Sequence, residues 1–195
     1  MLVSKRKDGS MFSLADKRDR GELERLSAEG SFFCPVCGNA VKMKLGKFKR
    51  WHFAHVNLTS CENGRGGGET EGHLEAKRQL FTRLKETGEH VMIEPYLPEL
   101  QQRPDLLIIK NSVRIAVEYQ NSIADSAVIQ NRIQNYRRAG IKSIWLLSED
   151  HLNRIAANRY RISNFHWLFA YQHTADALPR LLFLLPFEQE IVYPQ

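Results

Sequence analysis

The stretch Arg103-Pro-Asp-Leu-Leu-Ile-Ile-Lys-Asn-Ser-Val-Arg-Ile-Ala-Val-Glu-Tyr-Gln120 sets two apolar, β-branched runs, 106–109 and 113–117, on either side of Asn111-Ser112. Such runs about a two-residue polar pair predict a β-hairpin. With a two-residue loop, Lys110 opposes Val113, and counting back along both arms places Asp105 opposite Glu118. Gln120, two residues on, projects to the same face as Glu118. Opposed side chains in a sheet have Cβ atoms roughly 5 Å apart, and like charges so placed destabilise it. Two carboxylates kept together there suit a cation held between them. Mg²⁺ is a hard ion that takes one or two carboxylates plus water and substrate phosphate. A plainer account makes Asp105 a strand-entry turn residue after Pro104. It would pair Glu118 with Arg103 or Arg114, because an unpaired buried charge is costly.

Around this hairpin the pattern is α/β. Residues 69–88 read as a helix closed by Gly88, with Leu74, Leu80, Phe81 and Leu84 as its apolar stripe. At 100° per residue Glu69, His73 and Lys77 line the edge of that stripe, while Glu71 and Glu75 fall on the polar face. Glu69 is therefore the preferred inward acid, with Glu75 as the alternative. Residues 91–93 read as a short strand. Residues 124–139 read as a helix ending at Gly140 with Val128, Ile129, Ile133 and Tyr136 inward, and 143–147 as a buried strand. Residues 165–171 and 181–187 are expected to add two further strands. The order is that of a mixed α/β sandwich. No internal repeat is present.

The cysteines lie earlier, at Cys34, Cys37 and Cys61. Cys34-Pro-Val-Cys37 followed by Gly38 is a CxxC knuckle, and His52, His55 and Cys61 follow. Tetrahedral Zn²⁺ needs four such ligands. Cys34, Cys37 and Cys61 with one histidine fit; His55 is preferred and His52 is the alternative. A redox CxxC fits poorly without a surrounding βαβ pattern, and an odd cysteine count argues against a disulfide framework. Residues 40–51 read as a basic hairpin with Gly46 at its turn, as in a zinc ribbon.

Charge follows the same division. Residues 1–68 hold 13 Lys/Arg against 7 Asp/Glu, the whole net charge of +6, and the remainder holds 15 of each. Lys42, Lys44, Lys47, Lys49 and Arg50 form the densest cluster. Localised basic charge suits nucleic acid, although lysines also protect a solvated strand edge. The Gly-rich segment at 64–68 marks a boundary between a basic zinc-ribbon-like domain, 1–68, and a second domain, 69–195. No run of about 18 apolar residues exists to span a membrane, and no apolar segment follows the charged start as in a secretory signal. The expected setting is the cytoplasm.

Pro104-Asp105 on one strand with Glu118-Tyr-Gln120 on the next resembles the PD-(D/E)xK (restriction-endonuclease-like) nuclease superfamily, with Gln120 where lysine is usual. The wider set resembles the CoiA-like competence proteins of bacteria. That set is Phe33-Cys-Pro-Val-Cys37 with His52-Phe-Ala-His55, then Glu69-Thr-Glu-Gly-His73-Leu-Glu-Ala-Lys77, then residues 96–147 through Asp105 and Glu118 to Gly140-Ile-Lys-Ser-Ile-Trp145. The resemblance implies a metal-dependent DNA nuclease acting in uptake, recombination or defence, with DNA and recombination or uptake proteins as partners. Asp105 and Glu118, with the Tyr119 carbonyl, would bind Mg²⁺ or Mn²⁺. Gln120 would orient the attacking water or contact the phosphate. Lys77 or His73 would supply the positive charge that glutamine lacks. Glu69 would complete the metal shell or hold His73, and Gln130 and Gln134 would reach substrate. The alternatives are a non-catalytic nucleic-acid-binding protein on the same fold and a zinc-ribbon module that docks a partner.

Overall fold

Asn111 and Ser112 both adopt left-handed backbone, φ 47° and 65°, the conformation of a type I′ hairpin turn. The computed structural model, which describes residues 1–16, 18–57, 61, 69–157, 159–172, 174 and 177–192, joins β7 (Leu106–Lys110) and β8 (Val113–Gln120) through this turn. The register is the expected one: Lys110 opposes Val113 and Leu106 opposes Val117. Alternate residues enter different layers. Leu106 and Val117 belong to one apolar core, Leu107 and Ala116 to another.

The hairpin lies within a six-stranded mixed sheet, order β13-β12-β9-β8-β7-β6, completed by β6 (His90–Ile93), β9 (Ile141–Ser148), β12 (Leu182–Leu185) and β13 (Glu190–Val192). β8 and β9 are parallel, joined through α3 (Ser126–Arg138). α2 (Glu71–Glu86) covers the other face, placing Leu74, Ala76, Leu80 and Phe81 in the core with Leu106 and Val117. The mixed sheet flanked by helices bears out the expected α/β class. A five-stranded antiparallel sheet precedes it, order β2-β1-β3-β4-β5, from β1 (Val3–Arg6), β2 (Met11–Ser13), β3 (Phe32–Phe33), β4 (Ala40–Lys44) and β5 (His52–His55), with α1 (Arg20–Glu29) between β2 and β3. The expected boundary at 64–68 lies outside the described residues. Leu2 and, from the first sheet, Phe12, Phe32 and Phe53 share one apolar cluster with Leu74 and Phe81 of α2 and Ile93 of the second sheet. Among the described residues no helix is long and apolar enough to cross a membrane.

Five local expectations need correction. α2 begins at Glu71, because the Thr70 hydroxyl caps it by accepting the His73 amide at 3.1 Å, so Glu69 precedes the helix. Glu75 is buried, not solvated, because the loop 45–51 of the first sheet covers that face. Val128 is 61% exposed: Ile129, Ile133 and Tyr136 form the inward i, i+4, i+7 row, and Val128 lies off it. The segment 165–171 is not a strand. Asn164–Trp167 forms the short helix α4, and Phe165 stacks edge-on against Phe169 at 5.1 Å in a core with Trp145. The basic hairpin pairs β4 with β5, so its second arm is the histidine segment and its loop spans 45–51. A small hairpin, β10 (Asn153–Ala156) with β11 (Arg159–Arg161), carries no sequence signal used above.

Candidate functional site

Asp105 sits where β7 enters the sheet. Its Oδ2 accepts the Tyr119 amide at 2.9 Å, and its two oxygens lie 3.1 and 3.2 Å from His73 Nε2. The His73 ring meets Tyr119 edge-on at 5.5 Å. One helical turn below, Lys77 has no exposed surface. Its ammonium contacts Glu69 at 2.6 Å and Glu94, with Asp105 at 3.9 Å. Burial alone would lower the Lys77 pKa, but the three carboxylates outweigh it and hold the ammonium charged. Burial likewise opposes ionisation of Asp105, yet His73 and Lys77 bring its carboxyl down to about 2. Burial disfavours charge on His73 too, and the facing Asp105 reverses this, so its pKa stands above the ordinary value.

Glu118 is directed elsewhere. Its Oε1 takes the Arg132 guanidinium at 2.6 Å and the Tyr136 hydroxyl at 2.5 Å, both from α3. Its Oε2 faces the Asp105 amide at 3.4 Å. The hairpin thus brings the two residues opposite each other, while Asp105 turns its carboxylate toward α2 and Glu118 toward α3. Burial raises the Glu118 pKa in spite of Arg132. Arg132, rather than Arg103 or Arg114, is its partner; Arg114 bonds Glu99 and the Ala139 carbonyl. Gln120 is half-buried, its amide donating to the Ser122 carbonyl. Gln130 and Gln134 are exposed. The ligand atoms of Glu69, His73 and Asp105 all lie within 4.8 Å of one another, a hard, oxygen-dominated set compatible with a divalent cation.

Glu94, Arg132 and Tyr136 are given no part in the site by the sequence. Glu94 directly follows β6 with φ 48°, is 1% exposed, and accepts the Leu2 and Val3 amides at 2.9 and 3.2 Å besides pairing with Lys77. An acid between the apolar Ile93 and Pro95 is the available sequence signal. The helical pattern marks Tyr136 only as an apolar core residue and does not mark Arg132.

Four soft ligands meet at the edge of the first sheet. Cys34 Sγ and Cys61 Sγ are 4.0 Å apart, and Cys37 Sγ is 3.4 Å from His55 Nε2. Tetrahedral Zn²⁺ with the usual bond lengths requires edges of about 3.8 Å for S···S and about 3.5 Å for S···N. The knuckle is built by Gly38 at φ 72°, the Gly38 amide on the Cys34 carbonyl, and the Val36 amide on Cys34 Sγ. His52 stands outside this set, its Nδ1 2.7 Å from the Arg50 carbonyl. Burial and the neighbouring Cys34 sulfur push the Cys61 thiol up to about 11. A cation among the sulfurs removes that repulsion.

Of the basic cluster, Lys42 and Lys44 point outward from β4 and Lys47 is exposed in the following loop, with Lys49 half-buried. Arg50 pairs with Glu75, and its amide donates to Glu71 at 2.5 Å. It therefore joins the loop to α2.

Residues 15–64 match a family model described as the competence protein CoiA N-terminal domain, and residues 69–195 match the CoiA nuclease-like domain. Competence protein CoiA of Bacillus subtilis (strain 168) is 37% identical over 159 residues, which is 82% of this chain and 41% of that relative. The match thus spans about two fifths of the length of the curated relative. With both halves matched in order, and with the sulfur cluster and the acidic hairpin in place, the chain belongs to the CoiA competence protein family.

Proposed function

We propose that this chain is a metal-dependent nuclease that hydrolyses DNA phosphodiesters in the cytoplasm, during uptake, recombination or defence. The observation that carries this reading is the meeting of Asp105, at the start of β7, with Glu69 and His73, at the start of α2, their ligand atoms within 4.8 Å of one another. Asp105 and Glu69 would hold Mg²⁺ or Mn²⁺ with the Tyr119 carbonyl, and Glu118 would join them only on release from its Arg132 pair. Such an ion polarises a scissile phosphate and lowers the pKa of a bound water. Lys77 is wholly buried and cannot touch substrate. Its part is to keep Glu69 and Asp105 ionised and in place. His73 retains surface access beside Asp105; when protonated it would stand in for the lysine that Gln120 replaces, leaving Asp105 and Glu69 to take the metal. Gln120 orients water or phosphate. Zn²⁺ at Cys34, Cys37, His55 and Cys61 serves structure, and Lys42, Lys44, Lys47 and Lys49 meet the DNA backbone, with Arg50 anchoring their loop.

A second reading, a binding protein that keeps the fold without the chemistry, draws on Gln120 and on the pairing of Glu118 with Arg132. Cleavage of plasmid and single-stranded DNA by zinc-loaded protein, with and without added Mg²⁺ or Mn²⁺, separates the two. Asp105→Ala, Glu118→Ala and His73→Gln should each lower the metal-dependent rate by at least about 100-fold. No cutting on any substrate by zinc-loaded wild type that still binds those DNAs without added Mg²⁺ would favour the second reading.

A further inference from the structure

Phe48 is 97% exposed, at the middle of the loop between β4 and β5. Its sequence neighbours are Lys47 and Lys49, and Lys42 and Lys44 lead into the loop along the exposed face of β4. Single exposed apolar residues are ordinary. This one differs in being flanked in sequence by Lys47 and Lys49 and in the position of its loop. The loop is anchored on the first turns of α2 by Arg50 through Glu71 and Glu75, and it walls a cleft of about 770 Å³ lined also by Arg18, Trp51, Leu74 and Arg78. The same turn of α2 carries His73, and Glu69 directly precedes its cap.

We infer that Phe48 is a stacking finger for an unpaired base, and that the chain takes single-stranded nucleic acid. The inference rests on the nucleic-acid reading above and narrows it. A phenyl ring has no hydrogen-bonding groups, so it recognises the π-face that every base carries, without regard to sequence. In a duplex those faces are covered by neighbouring base pairs, whereas a single strand exposes them. The surrounding lysines supply the positive groove that follows the phosphates. DNA and RNA share the base face and the phosphate, so the geometry itself admits either.

The test is fluorescence anisotropy on the zinc-loaded chain, without added Mg²⁺ or Mn²⁺. The probes are labelled 20-mers of oligothymidylate and oligouridylate and a blunt 20-base-pair duplex. Because Phe48 touches no core, Phe48→Ala leaves the fold intact. It is expected to weaken single-strand binding by about 5- to 150-fold, the range for losing one stacked base, with less than about a twofold change on duplex. Phe48→Trp restores binding. Loss on both single strands assigns either nucleic acid; loss confined to oligothymidylate assigns DNA. Unchanged single-strand affinity, an equal loss on duplex, or no single-strand binding by wild type overturns the finger. Metal-dependent cutting that still requires Asp105 would then leave the nuclease reading standing. A selective Phe48→Ala loss in a chain that never cuts would keep the finger and remove the nuclease.

Discussion

Lys77 faces Glu69, Glu94 and Asp105 with no surface exposed, so it is the buried counter-charge of the acidic cluster, beside the Met1 ammonium on Glu69 and His73 on Asp105. Removing one partner of a buried ion pair costs about 3–5 kcal/mol, because the other charge is left unpaired. For a chain of this size about 2–4 °C accompanies each kcal/mol. Lys77→Met should therefore lower Tm by roughly 6–20 °C. Calorimetry checks this, and a shift below about 3 °C would show that the cluster is not ion-paired in solution. At this scale the sequence was informative where polar residues interrupt an apolar pattern, as Asp105, Glu118, His73 and Lys77 do. It was silent on Glu94, whose amide partners Leu2 and Val3 are some ninety positions away, and on the Arg132–Glu118 pair, which needs the rotation of α3 against β8.

Among the elements, β9 ends in a short turn that places His151 in the second core, stacked on Phe165 and 5.6 Å from His166. Burial, reinforced by His166, lowers its pKa below 6.5, while Asp150 and the Asn121 backbone oppose the shift. A histidine with a depressed folded-state pKa contributes stability that is complete above the unfolded value of 6.5 and is lost as pH falls through the folded value. Tm should therefore fall between pH 7 and pH 5, and His151→Gln should flatten that fall. An identical decline in the variant, followed by circular dichroism, would assign it to other groups. Helix and strand periodicity located α2, α3, β7, β8 and β9. It misjudged 165–171, because Phe165 and Phe169 are apolar for the sake of a one-sided helical contact with Trp145, which a linear apolar run cannot distinguish from a strand.

For the whole molecule, the sulfur cluster and the acidic cluster belong to sheets that share one core. Glu94 ties the sheets through its bonds to Leu2 and Val3, and Arg50 ties them through Glu75. Stripping metal from the cysteine site should lower the stability of the entire chain, with Tm falling by about 10 °C or more in a single transition. Two separated transitions in a calorimetric scan, one insensitive to chelator, would disprove this coupling. Composition and spacing by themselves determined the hairpin register, the α/β class and the metal-ligand spacing. These depend on short-range rules: the two-residue period of strands, the 3.6-residue period of helices and the tight turn of a CxxC knuckle. Only the tertiary structure decided that His55 and not His52 joins the sulfurs, that Asp105 and Glu118 turn to opposite helices, and that the two sheets share one core. Each depends on side-chain direction and on contacts between distant segments, which burial settles for the molecule as a whole.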